Sequence, residues 1–136
     1  MATLNPYLNF RGQAREAIEF YRSVFGGELT VSTFREFGMP VDAGVEDQVM
    51  HAQLETPGGF TLMCSDVPPS MEVTPGTNVQ VSLSGGGSDA EALAGYWRAL
   101  MAEGTETMPL AAAPWGARFG QGIDRFGIGW LVNIGD

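Results

Sequence analysis

A formal charge of -9, from 16 acidic against 7 basic side chains in 136 residues, repels nucleic acid and anionic membrane faces and leaves neither as an expected partner. With 44% hydrophobic residues the chain can bury one substantial core, so a single domain over residues 1–136 is expected and two independent catalytic domains are excluded. The one cysteine, Cys64, forms no intramolecular disulfide, no apolar run reaches the roughly 20 residues of a membrane span, and ATLNPYLNF lacks the features of a signal peptide, so a cytoplasmic protein is expected.

The stretch from Pro6 to Gly27 changes from strand to helix periodicity within a few residues. Leu4, Leu8 and Phe10 alternate with Asn5, Tyr7 and Asn9, the period of a half-buried strand, and Gly12 breaks it. Ala14, Ala17, Ile18, Tyr21, Val24 and Phe25 then make one apolar stripe at helical spacing, which must lie against a sheet; Gly26 and Gly27 stop the helix. Arg15, Glu19 and Arg22 fall on its solvent side. ELTVSTFREF reads as the next strand, ended by Gly38, Met39 and Pro40. Asp42, Glu46 and Asp47 follow in a solvated turn that lacks the spacing of an ion-binding loop. QVMHAQLET places Met50, Ala52 and Leu54 on one face and Val49, His51, Gln53 and Glu55 on the other. Pro57, Gly58 and Gly59 turn the chain, and FTLMCSD returns as a fourth strand.

VPPSMEVTPG carries three prolines and no periodicity, which marks an internal boundary. Beyond it NVQVSLS alternates Val79, Val81 and Leu83 with Asn78, Gln80, Ser82 and Ser84. Ser88 and Glu91 have the spacing of a capping box. The helix AEALAGYWRALMAEG follows, with a stripe of Leu93, Tyr96, Trp97, Leu100 and Met101. ETMPLAAA, GARFGQGID and FGIGWLVNI read as three closing strands. Residues 78–134 thus repeat the order of 5–66, and the expected fold is α+β, built from two βαβββ modules.

PYLNFRGQAREAIEFYRSVFGG, LMCSD and PWGARFGQGIDRFGIGW together resemble the vicinal oxygen chelate superfamily of glyoxalases, bleomycin-resistance proteins and extradiol dioxygenases. More narrowly, the chain resembles its PhnB-like branch. The resemblance implies half-open mixed sheets enclosing a cavity, helices on the outside, and a homodimer in which the second subunit completes the pocket. Some proteins with this resemblance are called ubiquinone methyltransferases. Gly85, Gly86 and Gly87 lack the G-x-G-x-x-G spacing of a nucleotide-binding unit and read as a turn before the second helix.

In metal-using members the ligands are His, Gln or Glu near the starts of the first strands and within the last strands of the modules. The matching positions are Asn5, Asn78, Met63 and Leu131, two weak amide oxygens and two apolar tips, so neither metal nor cofactor is expected. Helix cover for Val79, Val81 and Leu83 would turn Asn78, Gln80 and Ser82 toward the cavity, with Asn5, Tyr7 and Asn9 lining its other side. With His51, Met63, Trp115 and Leu131, these residues make the expected ligand pocket, in which neutral polar groups orient a small organic ligand. The same amides also suit a filled interior where they satisfy one another.

His51, the only histidine, shares a polar strand face with Gln53 and Glu55 and lacks a placed partner for acid–base work, so no catalytic residue is assigned. Cys64 reads as a small buried hydrophobe. Arg118 and Asp124 are expected to pair across a hairpin, Trp130 to join Ile128 and Val132 in the core, and Trp115 either to cover the cavity mouth or to enter the core. The expected function is metal-independent binding of a small molecule. The alternative is a metal-dependent lyase, isomerase or dioxygenase drawing ligands from His51, Gln80 or a second subunit, and a third reading is a filled cavity with an interaction role only.

Overall fold

A computed structural model describes residues 2–38 and 40–135. Met39, expected in the turn after the second strand, lies outside the described residues. The chain divides into two compact units, Met1–Thr74 and Pro75–Asp136. In the first unit β1 (Tyr7–Phe10), α1 (Ala14–Phe25), β2 (Glu28–Thr33), β3 (Val49–Glu55) and β4 (Thr61–Asp66) form an open sheet of order β1-β4-β3-β2. In the second, β5 (Val81–Gly86), α2 (Ala90–Met101), β6 (Thr105–Ala112), β7 (Arg118–Ile123) and β8 (Gly129–Gly135) repeat it as β5-β8-β7-β6. In each sheet the first and last strands run parallel and the other neighbours antiparallel. Both sheets are mixed and unclosed, as the βαβββ repeat predicts.

The predicted stripe of α1 is its buried face, except that Val24 is only half-buried. Ala14, Ala17, Ile18 and Tyr21 are wholly inaccessible and Phe25 nearly so, set against Leu8, Phe10, Ala52, Leu54, Leu62 and Cys64 from the sheet. Burying each larger apolar side chain contributes about 1.5–3 kcal/mol. Gly26 ends the helix at φ 74° and Gly27 continues at φ 114°. A Cβ on Gly27 would lie 2.2 Å from the Glu55 carbonyl oxygen, so the close return of the chain onto β3 requires glycine. In the second unit Leu93, Trp97, Leu100 and Met101 of α2 cover Leu83, Trp130, Val132 and Ile134. Tyr96, expected in that stripe, is half-buried.

The start of α1 is not capped locally: Gln13, its N-cap, makes no side-chain cap hydrogen bond. The cap comes from the far end of β4 instead. Asp66 is 3% exposed; its Oδ1 accepts the Ala14 amide at 3.0 Å and its Oδ2 the Val49 amide at 3.0 Å. One carboxylate therefore joins β4, the helix and β3, with its charge at the positive end of the helix.

Four local expectations are corrected. In β3, Val49 is buried and Met50 only half-buried, because the register with β2 slips between Ser32 and Thr33. This bulge at Met50 turns Val49 inward while Ala52 and Leu54 keep the predicted face. The second strand stops at Thr33, where the Glu36 carboxylate accepts the Thr33 amide and hydroxyl and Thr33 Oγ1 accepts the Glu36 amide, closing a turn. β5 begins at Val81, opposite Trp130, since β8 starts at Gly129 and offers no ladder to residues 78–79. Val79 is accordingly 80% exposed rather than under α2, and Leu4, ahead of β1, is likewise exposed. Ser88 and Glu91 form no capping box: a 3-10 turn over Gly87–Asp89 leads into α2, and neither segment takes a side-chain cap bond.

Asp66→Ala leaves two buried amides without acceptors, each worth about 1–3 kcal/mol. Urea unfolding is expected to show a loss of roughly 3 kcal/mol, against less than about 1 kcal/mol for Asp42→Ala in the exposed loop.

Candidate functional site

Each sheet has one face under its helix and one face without a helix, and the chemistry-bearing residues lie on the second. In the first unit the register aligns Tyr7 with Met63 and Met63 with Gln53 in one row, and Asn9 with Ser65 and Ser32 with His51 in the next. Four side chains run across this face. The Tyr7 hydroxyl lies 3.3 Å from His51 Nδ1, His51 Nε2 lies 3.5 Å from Gln53 Oε1, and Gln53 Nε2 donates to Glu55 Oε1 at 3.3 Å. Because a carboxylate only accepts, the amide of Gln53 must direct its oxygen to His51. His51 Nε2 then donates, and Nδ1 accepts from the Tyr7 O–H. The chain of bonds is directed: it fixes the imidazole tautomer and leaves the Tyr7 oxygen lone pairs available to a donor. The rings of Tyr7 and His51 are also 5.7 Å apart, tilted by 35°. Sequence reading identified these residues but missed that Tyr7 partners His51, which depends on strands 44 positions apart.

The second unit's helix-free face is more apolar. Ser82 aligns with Leu131, Leu131 with Gln121 and Gln121 with Met108; Ser84 aligns with Asn133 and Asn133 with Phe119. Trp115, 62% exposed, is fixed here by its indole N–H, which donates to Asn133 Oδ1 at 3.0 Å, and by an edge-on contact with Phe119 at 5.4 Å. Of the two expected positions, the core is excluded by this exposure. Asn78 and Gln80 lie ahead of β5 and are exposed; the Gln80 side chain lies against Gly129.

The expected Arg118–Asp124 pair is not formed. Arg118 opens β7 opposite Ile134, whereas Asp124 follows the other end of the strand. Asp124 is 4% exposed; its Oδ1 accepts the amides of Phe126 and Ile128 and its Oδ2 the Trp130 indole N–H at 2.9 Å. It locks the hairpin turn and the largest core aromatic of β8 at once, in an Asx-type arrangement. Trp130 and Val132 are buried as predicted.

The positions that would hold a divalent ion do not fit one. The Asn5 amide donates to Thr3 Oγ1 at 2.9 Å, Met63 offers a thioether, Asn78 lies outside the strand, and Leu131 has no donor atom. Among the described residues no group of three or more His, Cys, Asp and Glu converges. The acidic loop is answered internally: Arg35 meets Asp47 at 2.8 Å and Glu46 at 3.9 Å, and Arg35 holds the Asp47 carboxyl below its usual range. Cys64 lies on the helix side, its thiol directed at the Ala14 carbonyl. Burial, with the Asp66 charge added, pushes it up to about 12.

Two mixed four-stranded sheets from repeated βαβββ modules are the architecture of the vicinal oxygen chelate superfamily of glyoxalases, bleomycin-resistance proteins and dioxygenases. A solved glyoxylase/bleomycin resistance protein/dioxygenase domain from Frankia shares the fold at 15% identity, with a TM-score of 0.67 over 100% of this chain and 93% of that one. The protein PA1353 of Pseudomonas aeruginosa is 34% identical over 99% of this chain and 98% of its own, with a TM-score of 0.85. A PhnB protein from Bacillus cereus is 28% identical over 98% and 99%, with a TM-score of 0.69. The chain belongs to the PhnB-like family described as 3-demethylubiquinone-9 3-methyltransferase, whose sequence model matches residues 2–133.

Two measurements check this geometry. Trp97 and Trp130 are buried and Trp115 is exposed, so Trp115→Phe is expected to remove the acrylamide-quenchable part of the fluorescence and leave a blue-shifted remainder, with stability changed by about 1 kcal/mol or less. The Cys64 thiol is expected to resist a thiol reagent in the native state. An unfolded thiol ionises near 9.0 and the folded one only near 12, so its contribution to stability is complete below pH 9 and is lost as pH rises from there toward 12. Urea midpoints for the wild type and Cys64→Ala read that loss: above pH 9 the wild type is expected to fall more steeply.

Proposed function

We propose that the chain is a metal-independent small-molecule-binding protein of the PhnB-like family, acting in the cytoplasm as a homodimer. The observation that carries this reading is the donor set: Asn5, Met63, Asn78 and Leu131 stand where metal-using members of the superfamily place strong ligands. Polar groups of fixed direction remain on the helix-free face of the first unit, where Tyr7, Asn9, His51 and Gln53 can orient carbonyl, amide or hydroxyl groups of a ligand. On that of the second, Trp115, held by Asn133 and Phe119, and Leu131 offer rigid apolar contact at little entropic cost. A dimer suits the open sheets, whose edge strands and exposed Met108 and Ile123 lack cover within one unit. Gly85 and Gly86 end β5 and Gly87 enters a 3-10 turn, which supports binding over the nucleotide-like methyl-donor site that the family description would require.

The quinone in that description supplies the first probe. Menadione is expected to bind in equilibrium dialysis and to lose about fivefold or more in affinity in Tyr7→Phe, one hydrogen bond being worth about 1 kcal/mol. Metal analysis after dialysis against chelator is the second arm. One equivalent of zinc, iron, nickel or manganese retained, with activity lost on its removal, would overturn the metal-free reading in favour of a lyase, isomerase or dioxygenase.

A further inference from the structure

The geometry points to a second ligand site, on the helix side of the second sheet, for a small organic anion with a carboxylate or phosphate head and an apolar body. A groove of about 730 Å³ runs between α2 and β6, within the size range of small-molecule sites. It exists because of two features of the chain. On α2 the residues beside the buried stripe are small, Ala90 and Ala94, so the helix is thin on this flank. β6 is an edge strand whose pairing with β7 slips between Glu106 and Met108 and again between Met108 and Ala111, with Pro109 inside the second slip. The strand therefore peels away from the helix instead of closing on it. Leu110 and the Trp97 ring edge supply apolar wall.

The groove brings together two basic side chains that have no partner of their own. All seven basic residues are arginines. Arg35 and Arg125 are paired with carboxylates, and Arg11 and Arg22 are bonded to backbone carbonyls. Arg15, Arg98 and Arg118 have no hydrogen-bond or ion-pair partner among the described residues, although the chain carries 16 acidic side chains, and two of the three, Arg98 and Arg118, line this one groove. Of its two carboxylates, Glu106 already accepts the Trp97 indole N–H at 2.9 Å. Neither Glu91 nor Glu106 is paired with Arg98 or Arg118 among the described residues, so both guanidiniums keep their donors for an anionic head. Guanidinium groups match the planar, two-oxygen edge of a carboxylate or phosphate. Nothing in the proposed ligand faces is needed for this site, which lies on the other side of its sheet.

Calorimetric titration at low salt with benzoate, phenyl phosphate and uncharged benzamide tests the assignment, and the two anions separate the carboxylate from the phosphate class. At least one anion is expected to bind at one equivalent and about tenfold more tightly than benzamide, with affinity falling as salt is raised. Arg98→Gln and Arg118→Gln are each expected to weaken it by about fivefold to tenfold, and Arg15→Gln, the same charge change on α1, by less than about twofold. Circular dichroism confirms that the variants are folded. The site is refuted by no binding of either anion up to about 10 mM, by equal affinity for benzamide, or by equal losses in all three arginine variants.

Discussion

A buried carboxylate holds the first unit together. Asp66 sits where β4 ends, and its two oxygens accept amides from the start of α1 and the start of β3. A buried charge of this kind costs several kcal/mol in desolvation unless each oxygen is answered. Here the answers come from backbone groups that would otherwise be orphaned, one by the helix start and one by the bulge at Met50. The helix is thereby fixed at its amino end, which sets the position of its apolar stripe over Leu54, Leu62 and Cys64. Asp124 does comparable work in the second unit for a turn and an indole rather than for a helix. The two units repeat their topology without repeating the polar device that secures it.

With one face of each sheet committed to its helix, the other inherits the functional residues. Strand alternation makes this a strict division: Leu8, Cys64 and Ala52 on one side of the first sheet require Tyr7, Met63 and Gln53 on the other. In the second sheet, Gly120 and Gly122 stand on the helix side, where a Cβ would meet Leu110, Thr105 or the Met101 sulfur. Those glycines let Met101 and the β6 backbone come close, so bulk is concentrated in Trp97 and Trp130. The helix-free faces then differ in character, polar and hydrogen-bonded in the first unit and aromatic in the second.

Membership of the PhnB-like family places the chain on a fold that elsewhere supports metal chemistry, yet the fold does not carry that chemistry by itself. What a metal needs is several strong donors converging on one point, and the residues at the matched positions lack them. The directed bonds from Tyr7 through His51 and Gln53 to Glu55 are instead suited to fixing the orientation of a neutral group, since each member's donor and acceptor roles are set by the next.

The sequence by itself determined the βαβββ repeat, the helix stripes, most inward and outward strand positions and the poverty of metal donors. Each of these is either a local periodicity, imposed by 3.6 or 2 residues per repeat, or a matter of residue identity. Only the tertiary structure decided where register slips. It buried Val49, stopped β2 at Thr33, left Asn78, Val79 and Gln80 ahead of β5, and separated Arg118 from Asp124. It alone paired Asp66 with the Ala14 amide across 52 positions, joined Trp115 to Asn133, and set Arg98 beside Arg118 in one groove. These outcomes depend on which strands meet and how far each ladder runs, and no local pattern encodes a partner that far away along the chain.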